Sequence, residues 1–258
     1  MRTRRGLCVV LTSVLLVAGL GYAPSAHAHH SWNGYHWART ANPFTLGTGD
    51  NVTAVWDAYL NEAINDWNSS TVVRLAKQSG WGNPKPCSAK SGRIQVCNAK
   101  YGNTGWLGIA QIWISGSHIT QGRAQMNDTY FSQAYYNTPA WRRLVMCQEL
   151  AHDFGLDHQD ESFSNPNLGS CMDYTNDPDG PPSNEHPNQH DYEQIVSIYS
   201  HLDGFTTVGS TAAQGAPQDV NRQDEWGRAH QTDEHGRPTH FERDYGNGKK
   251  VITFVIWA

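Results

Sequence analysis

Apolar residues recur along this chain at two periods, and the alternation between them predicts the elements. Val52, Trp56, Leu60, Ala63, Ile64 and Trp67 fall three or four apart, the spacing of one helical face, with Asp50 placed to cap the helix. Residues 36–39 alternate as a short first strand, and 71–75 read as a strand leading into a Gly- and Pro-rich loop. Residues 93–99, 108–115 and 118–130 are strand-like, separated by Gly-containing turns at 101–105 and 115–117. Helical spacing returns after Thr138-Pro139, an N-cap followed by Pro in the first turn, and is expected to run through Phe154, where Gly155 can end it. Residues 160–184 read as loop, and Tyr192, Ile195, Ile198, Tyr199 and Leu202 mark a last helix beginning at Asn188 or Asp191. Residues 206–219 are rich in Ser, Thr, Ala, Gly and Pro, the composition of a flexible linker. Two final strand-like runs, 239–245 and 249–257, surround Gly246-Asn247-Gly248, and Asn-Gly is the strongest two-residue hairpin signal. Such a hairpin is marginal alone, so Val251, Phe254, Ile256 and Trp257 are expected to pack on the main domain or on a partner. The order of strands and helices predicts an α+β fold.

Composition adds a compartment. Arg2, Arg4 and Arg5 precede an apolar run over residues 6–20, and Ala26-His27-Ala28 has A-x-A spacing, the pattern of a secretory signal peptide cleaved near Ala28. The apolar run is shorter than the roughly 20 residues that span a bilayer. Of the five cysteines, Cys8 falls in the signal segment, and the remaining four in an oxidising compartment favour two disulfides. Sequence proximity suggests Cys87 with Cys97 and Cys147 with Cys171; the absence of a C-x-x-C pair argues against thiolate zinc sites. Loss of three Arg with the signal moves the formal charge from −5 to about −8, which favours neither nucleic acid nor an anionic membrane as partner. The chain therefore divides into a signal peptide (1–28), a main domain (29–204), a linker (205–225) and a hairpin extension (226–258), with a monomer expected.

The chemistry concentrates in Cys147-Gln148-Glu149-Leu150-Ala151-His152-Asp153-Phe154-Gly155-Leu156-Asp157-His158, followed by Ser170-Cys171-Met172-Asp173-Tyr174. These stretches resemble the H-E-x-x-H-x-x-G-x-x-H motif and Met-turn of metzincin zinc metalloproteases, matrixin- or astacin-like, with Gln148 standing in place of the first His. The resemblance implies a zincin catalytic domain with a twisted mixed sheet, an active-site helix and a C-terminal helix. It implies zinc on Gln148, His152 and His158, Glu149 as general base, Met172 packed beneath the ligands, and Tyr174 as an added ligand or oxyanion donor. Residues four apart on a helix share a face, and a third ligand after a tight turn can complete three corners of a tetrahedron, leaving the fourth for water. A disulfide from Cys147 to Cys171 would tie the motif helix to the Met-turn. The family's substrate peptide pairs with an edge strand of the sheet, here expected near residues 119–126.

An amide oxygen is a poorer zinc ligand than imidazole nitrogen, so two main readings stand. One is a secreted zinc metalloendopeptidase acting on a peptide or protein substrate. The other is a catalytically impaired metzincin-fold protein that binds peptide or protein; a metal-dependent hydrolase of another substrate is a third. His186 and His190 read as solvated loop residues, whereas His29, His30, His36 and His118 are further metal candidates without a spacing argument. The short stretch between Ala28 and residue 36 holds no segment resembling the propeptides that block many metzincins.

Overall fold

Residues 30–80, 84–211 and 220–258 are described by a computed structural model, and within them one mixed sheet organises the chain. Its strands are β1 (His36–Trp37), β2 (Phe44–Asn51), β3 (Val73–Ser79), β4 (Arg93–Ala99), β5 (Trp106–Ser115), β6 (His118–Asn127), β7 (Arg228–Thr232), β8 (Pro238–Asp244) and β9 (Lys249–Trp257). The order is β3-β2-β4-β6-β5-β9-β8-β7, with β1 beside the start of β6. Strands β1, β2, β3, β4 and β6 run parallel to one another; β5 pairs antiparallel with β6 and β9, and β7, β8 and β9 pair antiparallel. Helices α1 (Ala54–Trp67), α2 (Asp128–Phe131), α3 (Pro139–His152) and α4 (Gln189–Ile198) complete an α+β architecture.

The period-2 rule sorts both faces of the sheet. From β5, Leu107, Ala110, Ile112 and Ile114 join the main core with α1 and α3, and Ile252, Phe254 and Ile256 do so from β9. The intervening Ile109, Trp113, Val251, Val255 and Trp257 join Val220 and Trp226 in a second cluster. A one-residue slip of β9 would exchange the two sets, so the buried pattern fixes its register on β5.

Several sequence expectations are sharpened. Strand β2 was not anticipated, because Gly47 and Gly49 interrupt its pattern. A Cβ at those positions would meet the side-chain amides of Gln78 and Gln95 at 2.9 and 2.5 Å, so the glycines leave room for those amides from neighbouring strands. Asp50 belongs to β2, and Thr53 occupies the N-cap of α1. Strand β6 stops at Asn127, whose side chain accepts from Thr129 N and starts α2. Thr138 caps α3 by accepting from Trp141 N at 3.2 Å, but the helix ends at His152, two residues earlier than expected. Asn188 and Asp191 form a reciprocal capping box at α4.

Two corrections concern the sheet edge and the tail. Residues 119–126, expected to border the cleft, lie in β6 between β4 and β5 and offer no free edge. The hairpin of β8 and β9 forms as expected, with β7 added outside it, and β9 pairs along the whole of β5. Within the segment expected as linker, Thr207 N–H donates to the Ala38 carbonyl while its Oγ1 accepts from Ala38 N–H, and the Val220 carbonyl accepts from Gln111 and Arg123. The signal segment lies outside the described residues. Cys87 is bonded to Cys97 and Cys147 to Cys171, and no helix among the described residues is long and apolar enough to cross a membrane.

Candidate metal centre

Helix α3 presents Gln148 and His152 one turn apart, both buried, and the chain then reverses at Gly155. Gly155 has φ +103°, and a Cβ there would lie 2.4 Å from the Tyr35 carbonyl oxygen, so both the backbone conformation and the space demand glycine. The turn brings the His158 ring to 4.6 Å from that of His152, nearly perpendicular to it.

Each of the three side chains is anchored through one polar atom. His152 Nδ1 donates to the Leu156 carbonyl at 2.8 Å, which places the ring's lone pair on Nε2. His158 Nδ1 donates to Glu161 Oε1 at 2.7 Å with the same result. Gln148 Nε2 donates to the Cys171 carbonyl at 2.9 Å, leaving Oε1 as the free acceptor. Nε2 of both histidines and Oε1 of Gln148 are buried and have no hydrogen-bond partner. Metal-ligating imidazoles are held in this way, one nitrogen on a carbonyl or carboxylate and the other presented to the ion. The donor set fits a zinc-type cation, with the amide oxygen as its weakest member.

The Cys147–Cys171 bond ties α3 to the turn whose Cys171 carbonyl orients Gln148. Met172 is fully buried in the main core, with its N–H donating to Ser170 Oγ at 2.9 Å. Glu149 is also fully buried, with neither carboxylate oxygen hydrogen-bonded. A Cβ at Gly108 would sit 2.5 Å from Glu149 Oε1, so a bare glycine in β5 makes room for that carboxyl. Burial, reinforced by Asp153, pushes the Glu149 carboxyl well above the usual range; burial and the neighbouring His158 push His152 well down, towards a neutral ring.

The tail supplies residues that the sequence reading did not nominate. Phe254 of β9 stacks on His152 at 4.2 Å, almost parallel. His240 of β8 contacts Asp157 Oδ1 through Nε2 at 2.5 Å, and its ring lies 5.0 Å from that of His158. Asp157, His158 and His240 bring ligand atoms within 4.8 Å of one another. Because His240 Nε2 and His158 Nδ1 are already engaged by carboxylates, the group supports His158 from behind. Burial alone would raise the Asp157 pKa, but His240 outweighs it and holds the carboxyl well below the usual range. Tyr174, expected at the metal or the oxyanion, donates its hydroxyl to the Val255 carbonyl at 2.6 Å.

No family model matches the chain, and no curated protein matches it. Among solved structures it is similar to high choriolytic enzyme 1, a hatching-enzyme zinc protease from Oryzias latipes, the medaka fish. The two share 13% identity at a TM-score of 0.28, over 51% of this chain and 54% of that one. The chain thus spans about half the length of that structure, and so slight a likeness carries no argument about chemistry.

The structure brings Gln148, Glu149, His152, His158, Met172 and Tyr174 into one neighbourhood. His186 is half-exposed and pairs with Asp66 at 2.8 Å, while His190 lies against His30 and Gln159. His30 Nδ1 donates to the Asp157 carbonyl at 2.8 Å rather than reaching the donor set, and His29 lies outside the described residues. His36 and His118 meet elsewhere, beside Asp203. The Gly108 gap and His240 had no local signal, since each matters only through a partner distant in sequence; Glu161 lies only three residues beyond His158 and was passed over, and Phe254 was expected to pack but not at this site.

Proposed function

We propose that this chain is a secreted zinc-dependent metalloendopeptidase of metzincin type whose cleft is closed by its own C-terminal hairpin. The observation that carries the reading is the set of three buried, partnerless donor atoms, Gln148 Oε1, His152 Nε2 and His158 Nε2, next to the unpartnered carboxyl of Glu149. Zinc held by those atoms would supply Lewis acidity for a water and for a peptide carbonyl. Glu149, whose carboxylate oxygens have no other partner, takes the proton from the attacking water and returns it to the leaving amine. Tyr174, once released from Val255, donates its hydroxyl to the developing oxyanion. A peptide or protein substrate adds a strand at β5, the position that β9 takes in the closed form.

Protein purified without a metal-affinity tag should carry zinc and cleave a peptide library in a chelator-sensitive manner that Glu149→Ala abolishes. Identical cleavage by wild type and Glu149→Ala at high enzyme concentration would remove the protease reading. One observation favours a second reading: Glu149 and His152 are fully buried, with Phe254 seated on the imidazole. In that reading the metal is structural and the protein is a non-catalytic binding module, and zinc is then found without turnover.

A further inference from the structure

Away from α3, three imidazoles converge on one carboxylate oxygen. Nε2 of His118, His36 and His201 lies 3.1, 3.5 and 3.7 Å from Asp203 Oδ1, and His36 Nε2 is 3.2 Å from His201 Nε2. His36 and His118 are register partners at the start of β1 and β6, while His201 and Asp203 follow α4. The site therefore draws on both ends of the main domain and shares no residue with the centre on α3.

We propose that His36, His201 and Asp203 form a second transition-metal site, with zinc as the expected ion: their ligand atoms lie within 4.8 Å of one another, and His118 holds Asp203 from beside the set. A tetrahedral zinc at about 2.0–2.1 Å from its ligands separates them by about 3.3 Å. The three separations within this set, His36 Nε2 and His201 Nε2 to Asp203 Oδ1 at 3.5 and 3.7 Å and to each other at 3.2 Å, bracket that edge. Orientation agrees with spacing. His36 Nδ1 donates to the Gly34 carbonyl at 2.8 Å, which leaves Nε2 with its lone pair facing the cluster. Asp203 Oδ2 is held by the Arg39 guanidinium at 2.9 Å and by the Arg39 backbone N–H at 3.1 Å, so Oδ1 is presented to the three rings. His36 and Arg39 are buried whereas the His201 side chain is 55% exposed, which gives one ligand at the rim and an entry path for the ion. Imidazole nitrogens with one carboxylate suit zinc among the abundant divalent ions better than calcium or magnesium, which prefer all-oxygen sets. A bound ion would fasten the first strand to the segment that leaves the last helix.

The test is metal stoichiometry of the full-length, tag-free protein, stripped with chelator and titrated with zinc(II) or cobalt(II). His201→Ala, a change at an exposed rim position, is expected to lose one equivalent relative to wild type, and His36→Gln the same one. Both variants should keep the wild-type circular dichroism spectrum and any chelator-sensitive peptide cleavage. The comparison is independent of the α3 centre: two equivalents fall to one if that centre binds metal, and one falls to none if it does not. Each variant should also lose the increase in melting temperature that zinc gives the wild type through this site. Unchanged stoichiometry and affinity in His201→Ala and His36→Gln would overturn the proposal and leave the cluster as a metal-free ion-pair network around Asp203.

Discussion

Replacing Gly155 with alanine tests the turn that links His152 to His158. Two penalties act at this position. A non-glycine residue held at φ +103° is strained by about 1–3 kcal/mol. The added Cβ would also lie 2.4 Å from the Tyr35 carbonyl oxygen, a backbone atom that cannot swing aside as a side chain could, and overpacking of this kind costs about 1–3 kcal/mol more. The expected loss is about 2–6 kcal/mol, or about 5–20 °C in Tm for a chain of this size. Gly102→Ala isolates the first penalty, because Gly102 has φ +94° and nothing within 4 Å of its Cβ position. Urea unfolding of both variants, metal-free and with disulfides intact, should place Gly155→Ala at least about 1 kcal/mol below Gly102→Ala. Because His158 lies three residues beyond the turn, zinc affinity should fall in Gly155→Ala and be retained in Gly102→Ala. Equal midpoints for the two variants would refute the claim that the Tyr35 carbonyl confines this turn.

Gln148→His should bind zinc at least about tenfold more tightly, since Nδ1 can take over the bond to Cys171 while Nε2 replaces Oε1; calorimetric titration reads it, and unchanged affinity would count against Gln148 Oε1 as a ligand. Phe254→Ala removes a fully buried ring stacked on His152 and should destabilise the fold by about 3–5 kcal/mol, measured by urea melts. In the closed-protease reading it should also raise peptide cleavage per folded molecule, and a stability loss without that rise would argue against the hairpin as a shield. Asp191, whose carboxyl burial raises to about 7, favours the folded state when protonated, so its contribution is full below about pH 4 and is lost as pH rises through 7. His30, lowered by burial to about 4, acts with the opposite sign: its contribution is present above about 6.5 and lost as pH falls through 4. Asp191→Asn removes only the first, so its stability relative to wild type should increase between about pH 4.5 and pH 6.5, by at most about 1.4 kcal/mol per unit. A flat difference across that range would show that Asp191 is not buried as a neutral acid.

Short-range patterns were legible wherever the determinants lie within a turn or two of each other. Thr138-Pro139 and the i, i+4 spacing of Gln148 and His152 located α3, Arg93–Ala99 was found with its observed bounds, and the Asn-Gly turn located the β8–β9 hairpin. Strand β2 was missed because its signature is two glycines, and the reason for them is the side chains of Gln78 and Gln95 on other strands. The edge strand was misplaced for a similar reason: β4, β6 and β5 all look strand-like, and their order is not written in any of them.

The sequence by itself determined the cysteine pairing by proximity and the constellation of Gln148, Glu149, His152 and His158, because short covalent spacing, for the constellation along one helix and one tight turn, controls those positions. Only the tertiary structure decided that β9 covers β5, that Cys171, Leu156 and Glu161 each orient one member of the donor set, and that Phe254 and His240 press on the two imidazoles. Pairing and packing of this kind join residues as distant in sequence as Gln111 and Thr253, 142 positions apart, and depend on the register of the whole sheet rather than on any local pattern.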